Sequence, residues 1–190
     1  MIIEGLVTTS DADGAMHVAA MGPEVADEER ASGRITRCVL RPFASSLTAR
    51  HLERRPEGVF HLTDDVLLLA RLVTGVAVSP PARAARVVGG WVLEDACAAW
   101  EFVVDAVDTS DRRTRLDARV VATHAGRPFI GFNRAAHAVV EGAILVTRIH
   151  LLGADDVRRR LADLEPLVSK TGGGAEREAF GLLVARTDAG

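Results

Sequence analysis

The chain has 190 residues, of which 48% are hydrophobic and 26% are charged. This length and composition fit a globular protein with one domain, or one domain with an extension, and a sizeable core. The net charge of −3 provides no overall basic field, so we expect no nucleic-acid partner. Lys170 is the only lysine beside abundant arginine, so arginine content alone is weak evidence for a phosphate site.

The first two thirds of the chain favour β-strands. An Asp-Gly turn at residues 11–14 lies between two apolar stretches and predicts a hairpin. The predicted strands are residues 2–9, 15–21, 35–40, 59–62, 100–107 and an alternating stretch over 115–120. Residues 93–99 are predicted to form a short helix, whereas periodicity leaves residues 65–72 open between a helix and the start of a loop.

Helical periodicity begins after Gly131. Asn133 is predicted to cap a helix that presents an apolar face. The positions of that face are Ala136, Val140, Ala143 and Thr147. Further helices are predicted from Asp155 or Asp156 up to Pro166, which ends or kinks the helix, and from residue 175 to residue 186. We therefore divide the chain into a β-rich domain of residues 1–127 and a helical extension of residues 128–190.

The segment from Arg41 to Asp65 is the strongest candidate for a binding site. Phosphate recognition uses hydroxyls, guanidinium groups and the N–H groups at a helix start, and such residues are dense here. They are Arg41, Ser45, Ser46, Thr48 and Arg50. Ser45 or Ser46 is predicted to cap a helix over residues 47–53. The alternative is an ordinary capped helix with a solvated basic end.

Other chemistry finds little support in the sequence. The six histidines show no helical pairing and no neighbouring cysteine ligand, so we expect no metal site. A nucleophile elbow is absent, and Cys38 and Cys97 form no disulfide framework. Cys38 is predicted to be a buried thiol. The N-terminus resembles no signal peptide and no apolar run reaches about 18 residues, so we expect a cytoplasmic protein without a membrane partner.

Two further positions keep alternative interpretations. His61 could point at the edge of a bound ring, although a cross-strand hydrogen bond or an exposed position is the simpler interpretation. Asp64 and Asp65 could orient a ligand, although Asp at the end of a strand usually forms a turn or a helix cap. The sequence alone does not decide between these roles.

Motifs spread over the whole chain resemble one family. They are residues 1–9 (MIIEGLVTT), 21–23 (MGP), 40–43 (LRPF), 60–65 (FHLTDD), 131–141 (GFNRAAHAVVE) and 170–173 (KTGG). Together they are similar to the DUF447 proteins, an uncharacterised branch of the FMN-binding, flavin-reductase-like split-barrel proteins. The resemblance implies an α+β fold, in which a six-stranded split β-barrel of the flavin-reductase type precedes a C-terminal helical extension. It also implies a homodimer with two flavin sites at the interface.

The resemblance assigns roles to particular residues. It implies FMN as the cofactor, with its phosphate near the residues of the Arg41–Arg50 segment. The implied cofactor-binding residues are Met21, Gly22 and Pro23 near the ring, and Arg41, Ser45, Ser46, Thr48 and Arg50 near the phosphate. Asn133 is expected first as a helix cap; alternatively Asn133 or Arg134 reaches the phosphate or the neighbouring subunit.

The implied activity is that of an oxidoreductase linked to NAD(P)H or a deazaflavin, with a small-molecule electron donor or acceptor. In such proteins the cofactor carries the redox chemistry, which agrees with the lack of a convincing acid, base or nucleophile in the sequence. Two alternatives stay open: a non-catalytic FMN-binding protein, and a reductase of methanopterin-linked one-carbon metabolism.

Overall fold

The β-rich part of the chain forms one antiparallel sheet of six strands, with a separate two-stranded hairpin. The computed structural model describes residues 1–188. The strands are β1 (Leu6–Ser10), β2 (Met16–Ala20), β3 (Arg37–Leu40), β4 (Glu57–Leu62), β5 (Ala82–Ala84), β6 (Trp91–Leu93), β7 (Ala98–Asp108) and β8 (Arg115–Ala125). The order across the large sheet is β2-β1-β4-β7-β8-β3, and β5 pairs with β6. This arrangement confirms the predicted α+β class.

Seven helices accompany the strands in the described part of the chain. They are α1 (Asp27–Ser32), α2 (Leu47–Arg54), α3 (Val66–Thr74), α4 (Arg134–Thr147), α5 (Ile149–Leu152), α6 (Ala154–Thr171) and α7 (Gly174–Asp188). None of the helices within residues 1–188 combines the length and the apolar character that crossing a membrane requires.

The hairpin of β1 and β2 follows from its turn residues. The Asp11 carboxylate accepts hydrogen bonds from the N–H groups of Asp13 and Ala15, and Gly14 supplies a φ of 84°. This left-handed conformation is unstrained only without a Cβ. β1 is buried along its whole length, because β2 and β4 flank it and α2 and the β5–β6 hairpin contact it.

The large sheet carries the main hydrophobic core of the β-rich part. Buried side chains from five of its six strands meet apolar residues of the segments that cover them. The core is formed by Val7, Val25, Ile35, Cys38, Leu40, Leu52, Phe60, Phe102, Val104, Leu116 and Ala118. Cys38 is the buried thiol that the sequence predicted, and burial raises its pKa to about 12.

The chain separates into two compact units. The first comprises residues 1–63 and 80–128, and the second comprises residues 64–79 with the chain from residue 129 onward. The predicted division after residue 127 did not assign residues 64–79 to the helical part. They belong there because Asp65 caps α3, its side chain accepting from Leu68 N–H, and α3 packs on α4 and α7.

One local prediction was wrong, and a second was wrong in one of its two alternatives. Residues 93–99 form the end of β6, a turn and the start of β7 instead of a helix, because Cys97 N–H donates to the Leu62 carbonyl and begins the pairing with β4. Pro166 does not end α6, which continues to Thr171; the alternative that Pro166 kinks the helix stays a prediction.

The apolar face of α4 is also rotated from its predicted position. Of the predicted positions only Ala143 is fully buried, and Thr147 is exposed. The buried residues are Ala135, Ala138, Val139, Gly142, Ala143 and Val146. They pack against α3, α6 and α7, which all belong to the second unit.

Candidate functional site

The start of α2 brings three of the predicted phosphate residues together: Ser45, Ser46 and Thr48. Ser46 is the N-cap, and its hydroxyl accepts from Ala49 N–H at 3.1 Å. Thr48 lies in the first turn and is buried. The first turn contains no acidic residue, so nothing on the helix itself neutralises the partial positive charge at its start. The structure confirms Ser46, of the two candidates, as the cap.

The two predicted arginines differ in their surroundings. Arg50 folds back toward the helix start, and its Nη1 donates to the Ser45 carbonyl at 2.9 Å. Its charge therefore lies near the capped end of α2. Arg41 instead pairs with Glu24, with 2.6 Å between Nε and Oε1. Arg41 and Glu24 are both 40% exposed, so the free guanidinium nitrogens of Arg41 stay accessible although its charge is balanced.

The loop before α2 is held by the turn between β7 and β8. Ala44 N–H donates to the Arg112 carbonyl, and Thr114 N–H donates to the Pro42 carbonyl. The Arg113 guanidinium lies 3.9 Å from the centre of the Phe43 ring. Arg112 and Arg113 are both exposed, and the turn that contains them fixes the entry to α2.

The segment Met21–Pro23 follows β2 on the same side of the sheet as α2. Met21 packs against the main core, and its N–H donates to the Gly5 carbonyl. A Cβ at Gly22 would lie 2.5 Å from Ile2 Cγ2, so the exposed Ile2 side chain would have to shift. Pro23 is buried. These residues supply no charged or hydroxyl side chain, and their role near the ring of a cofactor stays a prediction.

Sequence reasoning missed a pair of histidines beside α2. His17 of β2 and His51 of α2 face each other with ring centres 5.3 Å apart at 86°. Thr48 Oγ1 lies 3.4 Å from His17 Nε2, and Thr9 Oγ1 lies 3.0 Å from His51 Nδ1. Burial, followed by the charge of His51, lowers the pKa of His17. No local spacing links these positions, because the sheet and α2 bring them together.

A second buried network surrounds Glu101, a residue that the sequence analysis did not single out. Its carboxylate accepts from three backbone N–H groups, those of Arg86, Val87 and Val88, at 2.7 to 2.9 Å. His124 Nε2 lies 2.6 Å from the same carboxylate. Burial alone would raise the pKa of Glu101, but these hydrogen bonds outweigh it and lower the pKa to about 2. Glu101 is therefore a fixed anion that anchors the β5–β6 loop.

His61 belongs to the sheet and keeps a single tautomer. Its Nε2 accepts from Leu93 N–H at 3.0 Å, so the ring proton lies on Nδ1, which is 3.3 Å from the Leu6 carbonyl. Burial lowers the pKa of His61 to about 4. The interpretation of His61 as a residue that bonds across strands is confirmed.

Asn133 lies in the second unit and caps α4, as the sequence predicted. Its Oδ1 accepts from Ala135 and Ala136 N–H, and its Nδ2 donates to the Thr171 carbonyl. Both ends of the amide are thus engaged within the helical unit. Its predicted role in cofactor binding stays a prediction. Across residues 1–188 no group of three or more His, Cys, Asp or Glu side chains is placed to hold a metal ion.

Comparison with known families identifies the chain. Residues 3–127 match the family described as protein of unknown function (DUF447), N-terminal domain, and residues 133–185 match the C-terminal DUF447 family. The chain belongs to the DUF447 family. No curated protein matches this DUF447 chain in sequence.

Solved structures share the fold. An FMN-bound DUF447 protein from Methanosarcina mazei is similar with a TM-score of 0.84 and 22% identity, over 97% of this chain and 94% of that one. The styrene monooxygenase flavin reductase of Pseudomonas putida S12 gives a TM-score of 0.54 and 15% identity, over 67% and 82%. An FMN-binding protein from Thermus thermophilus gives 0.54 and 17%, over 66% and 75%. The fold of this DUF447 chain is thus of the FMN-binding, flavin-reductase-like type.

Proposed function

We propose that this DUF447 chain binds FMN at the start of α2. The observation that carries the proposal is its membership of the DUF447 family, together with the similarity of nearly the whole chain to a DUF447 structure that holds FMN. The residues of the site fit the cofactor, because they offer donors for a phosphate at one end and an apolar border at the other.

The phosphate end of the proposed site is the capped start of α2. The N–H groups of a first helical turn point away from the helix and attract an anion. Ser45, Ser46 and Thr48 add hydroxyls, and Arg50 adds a positive charge near the Ser45 carbonyl. Arg41 would contribute through the guanidinium nitrogens that Glu24 leaves free.

The ring end of the proposed site is Met21–Pro23. His17 pairs with Thr9, and Ala19 pairs with Val7, so the odd-numbered residues of β2 lie on the face toward α2. Residue 21 extends this alternation and lies about 13 Å along the strand from residue 17. An elongated cofactor could therefore lie along this face with its phosphate near Thr48 and its ring near Met21.

Titration with FMN tests the site. Arg50→Ala removes one charge-assisted contact, typically worth about 1.5–3 kcal/mol, and should weaken FMN binding roughly ten- to a hundredfold. Arg54→Ala is the matched control, because Arg54 is an exposed residue at the other end of the same helix, and it should leave the affinity unchanged. Unchanged affinity in Arg50→Ala, Arg41→Ala and Ser46→Ala together would contradict the phosphate assignment.

We further propose that the chain is a flavin-linked oxidoreductase with a small-molecule electron donor or acceptor. FMN would supply the redox chemistry, while the residues around α2 bind and orient it. Rapid mixing of the FMN-loaded protein with NADH, NADPH or a reduced deazaflavin should reduce the bound flavin. If none of these donors reduces the flavin, the alternative of a non-catalytic FMN-binding protein is favoured.

A homodimer also remains part of the proposal. Three large apolar side chains in the second unit support it, because Phe129 is 46% exposed and Ile130 and Phe132 are each 87% exposed. A cluster of this kind is unusual on a surface that faces only water. Sedimentation should give the mass of two chains at micromolar concentration; a single-chain mass would refute the dimer.

A further inference from the structure

Four side chains on β1, β2 and α2 form a small polar cluster. His17 and Thr9 are cross-strand partners, so they lie on the same face of the sheet. Thr9 Oγ1 lies 3.0 Å from His51 Nδ1, and Thr48 Oγ1 lies 3.4 Å from His17 Nε2. The two imidazoles are thereby held edge to face beside the first turn of α2.

In each ring, one nitrogen takes no part in these contacts. Among residues 1–188, neither His17 Nδ1 nor His51 Nε2 has a hydrogen-bond partner. In the described residues, Thr114 Oγ1 is the one side-chain nitrogen or oxygen that is fully buried and also lacks a partner. The two ring nitrogens lack a partner but are not fully buried, so both reach accessible space. His51 as a whole is only 9% exposed. A buried imidazole that keeps one nitrogen at an opening is placed to meet a ligand atom.

The charges around the pair favour an anionic ligand. Two imidazolium rings 5.3 Å apart would repel each other, and burial together with the charge of His51 lowers the pKa of His17. β1 contributes only the Thr9 hydroxyl, and on α2 Arg50 directs Nη1 to the Ser45 carbonyl. A phosphate beside the rings would favour protonation of an imidazole, because a negative charge stabilises the protonated form.

We propose that His17 and His51 contact the phosphate of the ligand through their free ring nitrogens and take up one proton as it binds. The proposal rests on the proposed FMN site. It adds a pH dependence of FMN binding that the hydrogen-bond donors of that site alone would not provide. FMN binding then weakens as the pH rises, although the net charge of the cofactor no longer changes above the second phosphate pKa of about 6.

Proton uptake can be measured directly. FMN binding is followed calorimetrically at pH 7.5 in two buffers that differ in ionisation enthalpy, with riboflavin as a probe that lacks the phosphate. We expect an uptake approaching one proton for FMN and none for riboflavin. The dissociation constant for FMN should rise between pH 6.5 and 8.5, by up to roughly tenfold per pH unit.

The variants isolate the two rings. His17→Gln keeps a polar group near the Nε2 position facing Thr48, and His51→Asn keeps one near the Nδ1 position facing Thr9, but neither titrates. The double variant should bind FMN without proton uptake and with a flat pH profile. His150→Gln is the control, because His150 is an exposed residue of α5 in the helical unit. Should the double variant fail to fold, His17→Gln alone provides the comparison.

The outcomes separate this proposal from the FMN site itself. FMN binding with the same proton uptake in the histidine variants, or with equal uptake for riboflavin, would overturn the role of the pair and leave the cofactor site standing. FMN binding without any pH dependence in the unmodified protein would do the same. A protein that binds FMN at no pH would overturn the FMN site and the histidine proposal together.

Discussion

Replacing Glu101 by glutamine should destabilise the β-rich unit strongly. The carboxylate serves three backbone N–H groups and His124, with Oε1 taking Arg86 and His124 and Oε2 taking Val87 and Val88. A glutamine has one acceptor oxygen, so two of these donors would face an N–H group instead. Each hydrogen bond to a charged group contributes about 1.5–3 kcal/mol, so the loss is about 3–6 kcal/mol.

The pKa of Glu101 gives an independent magnitude. Its fall from 4.5 to about 2 on folding, at about 1.36 kcal/mol per pH unit, corresponds to about 3 kcal/mol of stability. Because the folded pKa is depressed, this contribution is complete above pH 4.5 and is lost as the pH falls toward 2. The melting temperature of Glu101→Gln should therefore lie roughly 6–12 °C below that of the unmodified protein at neutral pH. The difference should shrink in acid.

Glu57→Gln is the matched control for this experiment. Glu57 Oε1 accepts a single bond from Gly89 N–H in the same loop, and its partly exposed side chain can exchange that bond for water. We expect a change of less than about 1 kcal/mol. The reasoning is refuted if Glu101→Gln melts within about 2 °C of the unmodified protein, or if the difference is as large at pH 2 as at pH 7.

Three further expectations concern other parts of the chain. Asn133→Ala should cost about 1 kcal/mol in urea unfolding, because the helix cap is lost. Asn133→Asp should keep the cap but set an oxygen against the Thr171 carbonyl, so it should also be less stable than the parent. Equal stability of Asn133→Asp and the parent would contradict this geometry. His61 should lower the unfolding free energy by up to about 3 kcal/mol as the pH falls from 6.5 to 4, because His61 binds a proton at a higher pH in the unfolded state than in the folded state. Chemical denaturation at several pH values should show this slope of the unfolding free energy against pH, and His61→Gln should remove it. Gly181→Ala should stabilise α7 by about 0.5–1 kcal/mol, because a Cβ there meets nothing within 4 Å; Gly142→Ala, whose Cβ would lie 3.0 Å from Leu161 Cδ2, should gain less in the same melting assay.

The parts of the fold that were predictable are those with a local cause. The Ser46 and Asn133 caps and the turn at residues 11–14 follow from side chains that bond to their own backbone neighbours. Residues 93–99 were predicted as a helix because their composition favours one. Cys97 pairs with β4 instead, and a pairing between distant segments overrides such propensities.

The candidate site was only half predictable for the same reason. Thr48 and Arg50 stand out because they cluster in sequence near a helix start. His17 and His51 come together only once β2 pairs with β1 and α2 packs against the face that carries Thr9. Arg41 meets Glu24 only through the bridge between residues 24 and 39. Glu101 lies within a strand and gives no sign in the sequence that it accepts three backbone bonds.

The distribution of chromophores allows the two compact units to be observed separately. Trp91 and Trp100 are the only tryptophans, and the chain contains no tyrosine. Both tryptophans lie in the first unit, Trp91 bonded through Nε1 to the Gly14 carbonyl and Trp100 stacked on Phe60. Most helical residues lie in the second unit. Indole fluorescence therefore reports unfolding of the sheet, and helical circular dichroism mainly reports unfolding of the helices, without any engineered label.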